Sequence, residues 1–140
     1  MTLQIRLRAC LAVVENSRIL LVPHFDTDAG PVQWNVPGGG VAFGEYTQAA
    51  AVREFQEETG FDAECDRLLD VYENIVPARP WHSVTFAYIG RIVGGQMRQE
   101  PTRWGLRTPR WFGLDELDSI AYHPPPIVVK ALQSGTGPGD

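Results

Sequence analysis

The sequence predicts an α/β fold in which helices cover a mixed sheet. Three observations support this class. The first residues alternate apolar and polar side chains, which is typical of a strand with one buried face. Residues 46–59 are rich in alanine, glutamate and glutamine and stop at Gly60, as expected for a helix with a glycine C-cap. Strand patterns lie on both sides of this helix, and a second helical pattern ends the chain.

The first third of the chain is predicted as a hairpin, a loop and a short strand. The alternation from Leu3 continues through "CLAVV", the residues "ENS" turn, and "RILLV" forms the second strand. Residues 24–33 are predicted as a loop from their composition. The short strand "WNV" ends at a proline and three glycines, which can adopt positive φ and let the backbone approach another group.

Two long strands, "DRLLDVYENIV" and "SVTFAYIGRIV", are predicted after the helix, joined by the loop "PARPWH". The polar segment "GGQMRQEPTRWGLRT" is predicted as a surface loop, and loops of this length are often functional. A short strand "PRWFGL", a helical turn "DELDSI" and a proline-initiated helix "PPPIVVKAL" follow. We expect residues 1–133 to form a single domain and residues 134–140 a disordered tail.

Composition limits the classes of partner. Twelve basic and seventeen acidic side chains give a net charge of −5 without a basic stripe, so polymeric nucleic acid is not expected as a partner. A small phosphorylated molecule stays compatible if a metal ion supplies positive charge. No apolar run approaches the roughly 18 residues that span a bilayer, so we expect a cytoplasmic protein without a membrane partner. Cys10 and Cys65 are predicted as buried free thiols, and a homodimer is one compatible oligomeric state.

The segment "REFQEETG" concentrates negative charge on the central helix. Glu54, Glu57 and Glu58 stand at i, i+3 and i+4 and share a face, where each like-charge pair costs roughly 0.2–0.5 kcal/mol. The opposite side is predicted to pack through Ala51 and Phe55 with their neighbours. Most acidic helix faces are simply solvated, yet a divalent cation would convert this repulsion into attraction. Magnesium prefers such oxygen ligands together with substrate phosphates.

The residues from the glycines to the end of this helix resemble a known motif. Gly39, Glu45, Arg53-Glu54, Glu57-Glu58 and Gly60 stand at the spacing of the Nudix box, with apolar residues at its apolar positions. The flanking strand order, the tryptophan before "PGG" and the late "WFGLDEL" are similar to Nudix hydrolases too. The resemblance implies a Nudix-like α/β/α sandwich around a mixed sheet. It also implies hydrolysis of a nucleoside diphosphate linked to another moiety.

Site residues follow from the resemblance position by position. It implies that Glu54, Glu57 and Glu58 bind Mg²⁺ or Mn²⁺, with the Gly39 carbonyl as an additional ligand. Arg53 would orient Glu57 at i, i+4 through a charged hydrogen bond. A further acidic residue, Glu45, is expected either to brace the turn or to join the metal site through water.

The group that takes the proton of the attacking water is left open between two glutamates. Glu57 is the candidate within the motif, and Glu100 in the polar segment is the alternative, with an ordinary exposed loop residue as its simpler interpretation. Arg6 and Arg8 on the first strand and Trp81 after Pro80 are candidate substrate contacts, against solvated arginines and a packing tryptophan.

Three functions are compatible with these residues. The first is metal-dependent hydrolysis of nucleoside diphosphate derivatives, with ADP-ribose-like compounds favoured because Pro77 lies sixteen residues beyond Phe61, as in family members that act on ADP-ribose. The second is hydrolysis of nucleoside triphosphates to a monophosphate and pyrophosphate. The third is a nucleotide-sensing module without catalysis, which we disfavour because such a module is expected to lose motif glutamates.

Overall fold

The computed structural model describes residues 3–134, which contain ten strands, two α-helices and one 3-10 helix. The strands are β1 (Arg6–Glu15), β2 (Arg18–Phe25), β3 (Pro31–Asn35), β4 (Gly38–Gly40), β5 (Phe61–Val76), β6 (Trp81–Gly95), β7 (Glu100–Thr102), β8 (Gly105–Arg107), β9 (Arg110–Gly113) and β10 (Tyr122–His123). The helices are α1 (Thr47–Thr59), the 3-10 helix (Leu114–Ser119) and α2 (Pro125–Ser134).

Eight strands form one mixed sheet, as the sequence predicts. Its order is β10-β3-β2-β1-β6-β5, with β4 also paired to β1 and β9 also paired to β2. The neighbours β1 and β6 run parallel, as do β3 and β10, whereas the remaining pairs in this sheet are antiparallel. Strands β7 and β8 form a separate hairpin.

Alternation along β1 builds two cores on opposite faces of the sheet. Ala9, Leu11 and Val13 pack toward α1, and Cys10 and Ala12 pack toward α2. The helix residues that complete these cores are Ala50, Ala51 and Phe55 of α1 and Ile127, Val128, Ala131 and Leu132 of α2. One helix therefore covers each face, and the predicted α/β/α sandwich is confirmed.

Helix α1 begins one residue later than predicted and ends as expected. Gly60 adopts the left-handed conformation with φ 86°, and its N–H donates to the Gln56 carbonyl at 2.9 Å, which caps the helix. Ala50, one helical turn before Glu54 on the same side of α1, is completely buried. The side of α1 that carries the glutamates is therefore partly covered, and the element that it contacts is β4.

Several loops are shorter than composition suggests. The first connection retains only residues 26–30, because β2 extends to Phe25 and β3 begins at Pro31. Trp81 and His82 open β6 and do not belong to the preceding loop. The polar segment carries the hairpin β7–β8. In each place backbone pairing with a neighbouring strand, which composition does not reveal, extends the regular structure.

The C-terminal helix is longer than predicted. Ser134 is its last residue, so the predicted disordered tail starts too early by one residue, and the rest of that tail lies outside the described residues. None of the helices within residues 3–134 is long and apolar enough to cross a membrane. Cys10 is a buried free thiol as predicted, whereas Cys65 is only partly buried because it lies on the edge strand β5.

Candidate functional site

The three consecutive glycines form strand β4, which pairs antiparallel with residues Arg8 to Cys10 of β1. Positive φ occurs at Gly30, Gly44, Gly60, Gly95 and Gly105 among the described glycines, so the glycines of β4 do not use the positive φ open to them, whereas the predicted close approach to another group is present. A strand ladder requires extended backbone, and glycine is needed here for space. A Cβ on Gly38 would lie 2.5 Å from the Ala9 carbonyl oxygen, and one on Gly39 would lie 2.5 Å from the Glu54 carboxyl carbon.

Two carboxylates of α1 consequently rest on the glycine strand. The Glu54 carboxylate lies against the backbone of Gly39, and Glu58 Oε2 accepts a hydrogen bond of 3.1 Å from the Gly38 N–H. Their side chains are 16% and 14% exposed, whereas the Glu57 side chain is 49% exposed. The predicted acidic face therefore has two inner carboxylates, held between helix and sheet, and one at the rim.

Arg53 links the carboxylates to the loop before α1. Its Nε and Nη2 donate to the two oxygens of Glu45 at 2.8 and 3.0 Å. Its Nη1 donates to Glu54 at 3.0 Å and to Glu57 at 3.2 and 3.3 Å, and Nη2 also reaches the Gly40 carbonyl at 3.1 Å. The expected contact with Glu57 is present, and the guanidinium additionally fixes three other groups around it.

Glu45 serves as the anchor for Arg53. Its Oε1 accepts a hydrogen bond from the Ala42 N–H at 3.0 Å, which ties the carboxylate to its own loop. The hydrogen bonds from Arg53 and then from Ala42 lower the pKa of Glu45 to about 2. A permanently ionised carboxylate in this position favours the bracing alternative for Glu45, since both its oxygens are already engaged by the protein.

Burial has the opposite effect on Glu58. Removal from water raises the pKa of its carboxyl to about 8, although the Arg107 guanidinium and the Gly38 N–H favour the charged form. The nearby carboxylates of Glu54 and Glu100 add to the increase. A cation bound beside Glu58 would therefore displace a proton.

Stability without metal should depend on the ionisation of Glu58. The pKa of its carboxyl is about 8 in the folded chain and lies near its usual 4.5 when the chain is unfolded. The folded state thus binds more protons between these values, so we expect the free energy of unfolding to fall across that interval, by on the order of a few kcal/mol. Urea unfolding in a chelator from pH 5 to 8.5 measures this change.

The Glu58→Gln variant supplies the reference for this titration, because it removes the carboxyl and leaves the other ionisable groups in place. We expect a flatter pH profile for the variant. Added Mn²⁺ should stabilise the wild type more at pH 8 than at pH 6, since the proton competes with the ion. Parallel pH profiles for the two proteins would contradict the assignment.

The two glycines under the carboxylates should respond differently to alanine. In Gly38→Ala the new Cβ meets the backbone of β1, and we expect overpacking to cost about 1–3 kcal/mol of stability. In Gly39→Ala the atoms nearest to the new Cβ belong to the end of the Glu54 side chain and not to backbone, so we expect a smaller loss of stability while the carboxylate is displaced. Urea unfolding and metal affinity, measured on both variants, separate the effects. Equal stability losses would contradict this distinction.

A cavity of about 650 Å³ opens beside the carboxylates. Its wall at this end includes Gly38, Gly39, Glu58 and Arg107. The cavity has the size of a small-molecule site. The other lining residues used below are Arg8, Asn35, Arg79, Trp81 and His123. Glu58 thus stands at one end of a space that a nucleotide-sized molecule could enter, and Glu54 and Glu57 lie beside it on α1.

The candidate substrate residues lie near this cavity in different ways. Arg8 and Trp81 line it, whereas Arg6 does not and instead stacks its guanidinium on the Trp81 ring at 4.5 Å from the centroid. Arg79 lines the cavity and lies 5.7 Å from the same ring. Trp81 also donates to the Ser83 hydroxyl at 3.1 Å. The proline used to favour ADP-ribose, Pro77, is exposed and does not line the cavity.

The alternative proton acceptor is brought to the site by the hairpin. Glu100 of β7 stands opposite Arg107 of β8, and its Oε1 lies 3.4 Å from Arg107 Nη1. The same nitrogen lies 3.6 Å from Glu58 Oε1. Glu100 and Glu58 therefore share one arginine.

The donor set fits a hard divalent cation. Two half-buried carboxylates against a glycine backbone, with a third at the rim, offer the oxygen ligands that Mg²⁺ or Mn²⁺ requires. No group of three or more His, Cys, Asp or Glu side chains within residues 3–134 is already gathered tightly enough to enclose an ion. Magnesium does not need such a cage, since it commonly binds through one or two carboxylates together with substrate phosphates.

Sequence reasoning missed several polar residues of the cavity. Asn35 precedes the glycines in the sequence, and its Oδ1 is buried without a hydrogen-bond partner. Arg79 is two residues from Trp81 and could have been found with it. Arg107 and His123 carry no sequence signal, because strand pairing alone brings them to the cavity. Burial, and then the charge of Arg8, lower the pKa of His123, which favours a neutral imidazole there.

Comparisons with known proteins agree with this architecture. The NUDIX domain model matches residues 5–131. Among curated proteins, a putative 8-oxo-dGTP diphosphatase of Bacillus subtilis (strain 168) is 37% identical over 89 residues, or 63% of this chain and 54% of that protein. An RNA pyrophosphohydrolase of Erythrobacter litoralis is 37% identical over 94 residues, or 66% of this chain and 53% of that protein. The chain thus matches about half the length of each.

Solved structures extend the match over almost the whole chain. A NUDIX hydrolase from Nitrosomonas europaea has a TM-score of 0.78 at 20% identity, covering 94% of this chain and 90% of that one, which supports the fold alone. A MutT NUDIX hydrolase from Burkholderia pseudomallei has a TM-score of 0.71 and is 31% identical, covering 93% of this chain and 97% of that one. The chain therefore belongs to the NUDIX hydrolase family.

Proposed function

We propose that this protein hydrolyses a phosphoanhydride bond of a nucleotide with the help of a divalent metal ion. The observation that carries the proposal is Glu58 on the wall of a polar cavity that also presents Arg8 and Arg107, with Glu54 and Glu57 beside it on the same face of α1. Carboxylates at the metal end and arginines on the wall suit a substrate that is bound by its phosphates.

Each carboxylate has a distinct part in this proposal. Glu54 and Glu58 would hold Mg²⁺ or Mn²⁺ from their positions on the glycine strand, with the Gly39 carbonyl as a further oxygen ligand. The ion supplies charge neutralisation of the diphosphate and lowers the pKa of an attacking water. Arg53 keeps Glu54 and Glu57 in place through its hydrogen bonds.

Proton removal from the attacking water falls to a glutamate close to the metal end. Glu57 is our first candidate because its carboxylate is half exposed at the rim and is oriented by Arg53. Glu100 is the second, since β7 places it within 3.4 Å of an arginine that also approaches Glu58. Activity of a Glu100→Gln variant close to that of the wild type would leave Glu57 as the remaining candidate.

Nucleoside diphosphate derivatives such as ADP-ribose are our first proposed substrate class. The cavity continues from the carboxylates to Trp81 and Arg79, which leaves room for a group beyond the diphosphate. Pro77 supports this class only through sequence resemblance, because it does not contact the cavity. Nucleoside triphosphates are the second candidate, and the relative named putative 8-oxo-dGTP diphosphatase favours them.

A panel of compounds with product identification tests the proposal. The protein would be incubated with Mg²⁺ and ADP-ribose, other nucleoside diphosphate derivatives, nucleoside triphosphates and an RNA with a terminal triphosphate, the last because relatives are named RNA pyrophosphohydrolase. Monophosphate with a sugar phosphate indicates the first class, and monophosphate with pyrophosphate the second. The net charge of −5 predicts no affinity for internal RNA phosphates.

The panel also has an outcome that opposes catalysis. Tight nucleotide binding by calorimetry without turnover of any compound, with both Mg²⁺ and Mn²⁺, would indicate a sensing module in place of an enzyme. We expect turnover, because every glutamate of the motif is retained and Arg53 holds three of them in place.

A further inference from the structure

Two arginines, Arg53 and Arg107, contact the glutamate side chains of α1, and they differ in hydrogen bonding. Arg53 uses all three of its guanidinium nitrogens in contacts of 2.8 to 3.3 Å with carboxylate and carbonyl oxygens. Arg107 makes no hydrogen bond through its side chain within residues 3–134, and its contacts with carboxylates are longer. The first arginine is saturated by the protein, whereas the second retains free donors.

Burial makes the unpaired N–H donors of Arg107 unfavourable in free energy, because they have lost water. The Arg107 side chain is only 23% exposed, and its Nε is buried without a hydrogen-bond partner. Its Nη1 lies 3.4 Å from Glu100 and 3.6 Å from Glu58, beyond the 2.7–3.2 Å typical of N–H···O bonds. A guanidinium that has left water without gaining hydrogen bonds lacks compensation for its desolvation.

The surroundings of Arg107 indicate which kind of ligand could accept hydrogen bonds from its unpaired donors. The residue lines the same cavity as Gly38, Gly39 and Glu58, so a molecule bound at the metal end would meet its side chain. The planar fork of a guanidinium matches phosphate oxygens in two-point hydrogen bonding. An anionic ligand in the cavity could therefore satisfy donors that the protein leaves open.

We propose that Arg107 is a substrate-binding residue that donates hydrogen bonds to the phosphate oxygens of the nucleotide. The inference rests on the proposed function and deepens it. The hairpin β7–β8 would position the positively charged Arg107 guanidinium at the substrate phosphates. Arg107 and the metal ligands would then act on the diphosphate from adjacent walls of the cavity. Glu100 and Glu58 hold the guanidinium near this position until the substrate binds.

A structural role is the rival explanation for Arg107. In that case it merely neutralises Glu58 and Glu100, and its loss would disturb the metal site first. The two roles differ in their effect on metal affinity without substrate. A substrate-binding arginine repels a cation at the nearby carboxylates, so its removal should leave Mn²⁺ binding unchanged or tighter. A structural arginine would weaken Mn²⁺ binding when removed.

The test compares Arg107→Gln with Arg103→Gln. Arg103 belongs to the same hairpin and has the same charge, but it is exposed, stacks on Trp104 at 4.4 Å and does not line the cavity. Calorimetry with inorganic pyrophosphate in Mg²⁺ measures phosphate recognition independently of the base. We expect binding about 10- to 100-fold weaker for Arg107→Gln, as for loss of a charged hydrogen bond, and within twofold of wild type for Arg103→Gln.

Additional measurements complete the test. KM for a turned-over nucleotide should rise with the pyrophosphate dissociation constant, and Arg107→Lys should recover part of the affinity, because lysine keeps the charge without the fork. Mn²⁺ affinity of the nucleotide-free Arg107→Gln protein, followed by electron paramagnetic resonance, should equal or exceed that of wild type. If the glutamine variant does not fold, weaker pyrophosphate binding by the lysine variant carries the test.

The inference would be overturned if the wild type bound no pyrophosphate, or if Arg107→Gln bound it as well as the wild type. Parallel losses of pyrophosphate and Mn²⁺ affinity in Arg107→Gln would also overturn it. Failure of the proposed function looks different. A protein whose pyrophosphate binding depends on Arg107 but which turns over no nucleotide would retain the inference and refute the enzyme. Turnover with an unchanged KM in Arg107→Gln would do the reverse.

Discussion

Replacement of Glu57 by glutamine is expected to lower kcat by about 10²- to 10⁴-fold, the range typical of a lost general base. Glutamine keeps the size of the side chain and loses the negative charge, so neither proton removal nor metal binding through this group survives. The Glu57 side chain is 49% exposed, and an i,i+4 ion pair with Arg53 is worth only about 0.3–0.5 kcal/mol. Relief of repulsion from the neighbouring Glu54 carboxylate offsets this loss.

Steady-state kinetics and urea unfolding on the same preparation measure both consequences. The matched control is Glu73→Gln, which removes an exposed carboxylate from β5 away from the cavity and should leave kcat unchanged. We expect the free energy of unfolding of both variants within about 0.5 kcal/mol of wild type. Full activity of Glu57→Gln would show that the wrong carboxylates have been assigned to the reaction.

Substitution of Arg53 by lysine should damage both activity and stability. Lysine cannot reproduce a planar fork that holds Glu45, Glu54, Glu57 and the Gly40 carbonyl together. A displacement of about 1 Å in a catalytic group can cost roughly 10²-fold in rate, and we expect a decrease of at least that size. Loss of several charged hydrogen bonds, discounted for the 37% exposure of Arg53, should cost about 1–3 kcal/mol.

The free energy of unfolding at acidic pH also tests the Arg53→Lys substitution. Hydrogen bonds from Arg53 and then Ala42 hold the pKa of Glu45 near 2, below its usual 4.5. Their contribution to stability is therefore complete above pH 4.5 and is lost as the pH falls toward 2. In Arg53→Lys this loss should be smaller, because the folded pKa of Glu45 returns toward the unfolded value. Unfolding by urea between pH 2 and 6 measures the difference.

Arg91→Lys provides the control for Arg53→Lys. Arg91 also pairs with two carboxylates, those of Glu64 and Asp66, but on an exposed surface. Exposed pairs contribute little, so we expect less than about 1 kcal/mol of destabilisation and unchanged kinetics. Equal effects of the two substitutions on rate would mean that Arg53 has no special part in positioning the carboxylates.

Much of the fold is visible in local patterns of the sequence. Apolar alternation along β1 reflects two cores on opposite faces, and the position of Gly60 marks the end of α1 because a left-handed cap favours glycine. The short strands β4, β7, β8 and β10 are not predicted by the sequence pattern. Their pairing partners are distant or their own residues are polar, and composition cannot report hydrogen bonds made to another segment.

Local periodicity is enough to place Glu54, Glu57 and Glu58 along one helix, because an α-helix repeats every 3.6 residues whatever surrounds it. Tertiary packing, which the local pattern does not reveal, buries most of the Glu54 and Glu58 side chains against the glycine strand and raises the pKa of Glu58. Tertiary packing also determines which arginine has all its N–H donors hydrogen-bonded within the protein. The free donors of Arg107 depend on the pairing of β7 with β8 and on the cavity that strands distant in the chain form together.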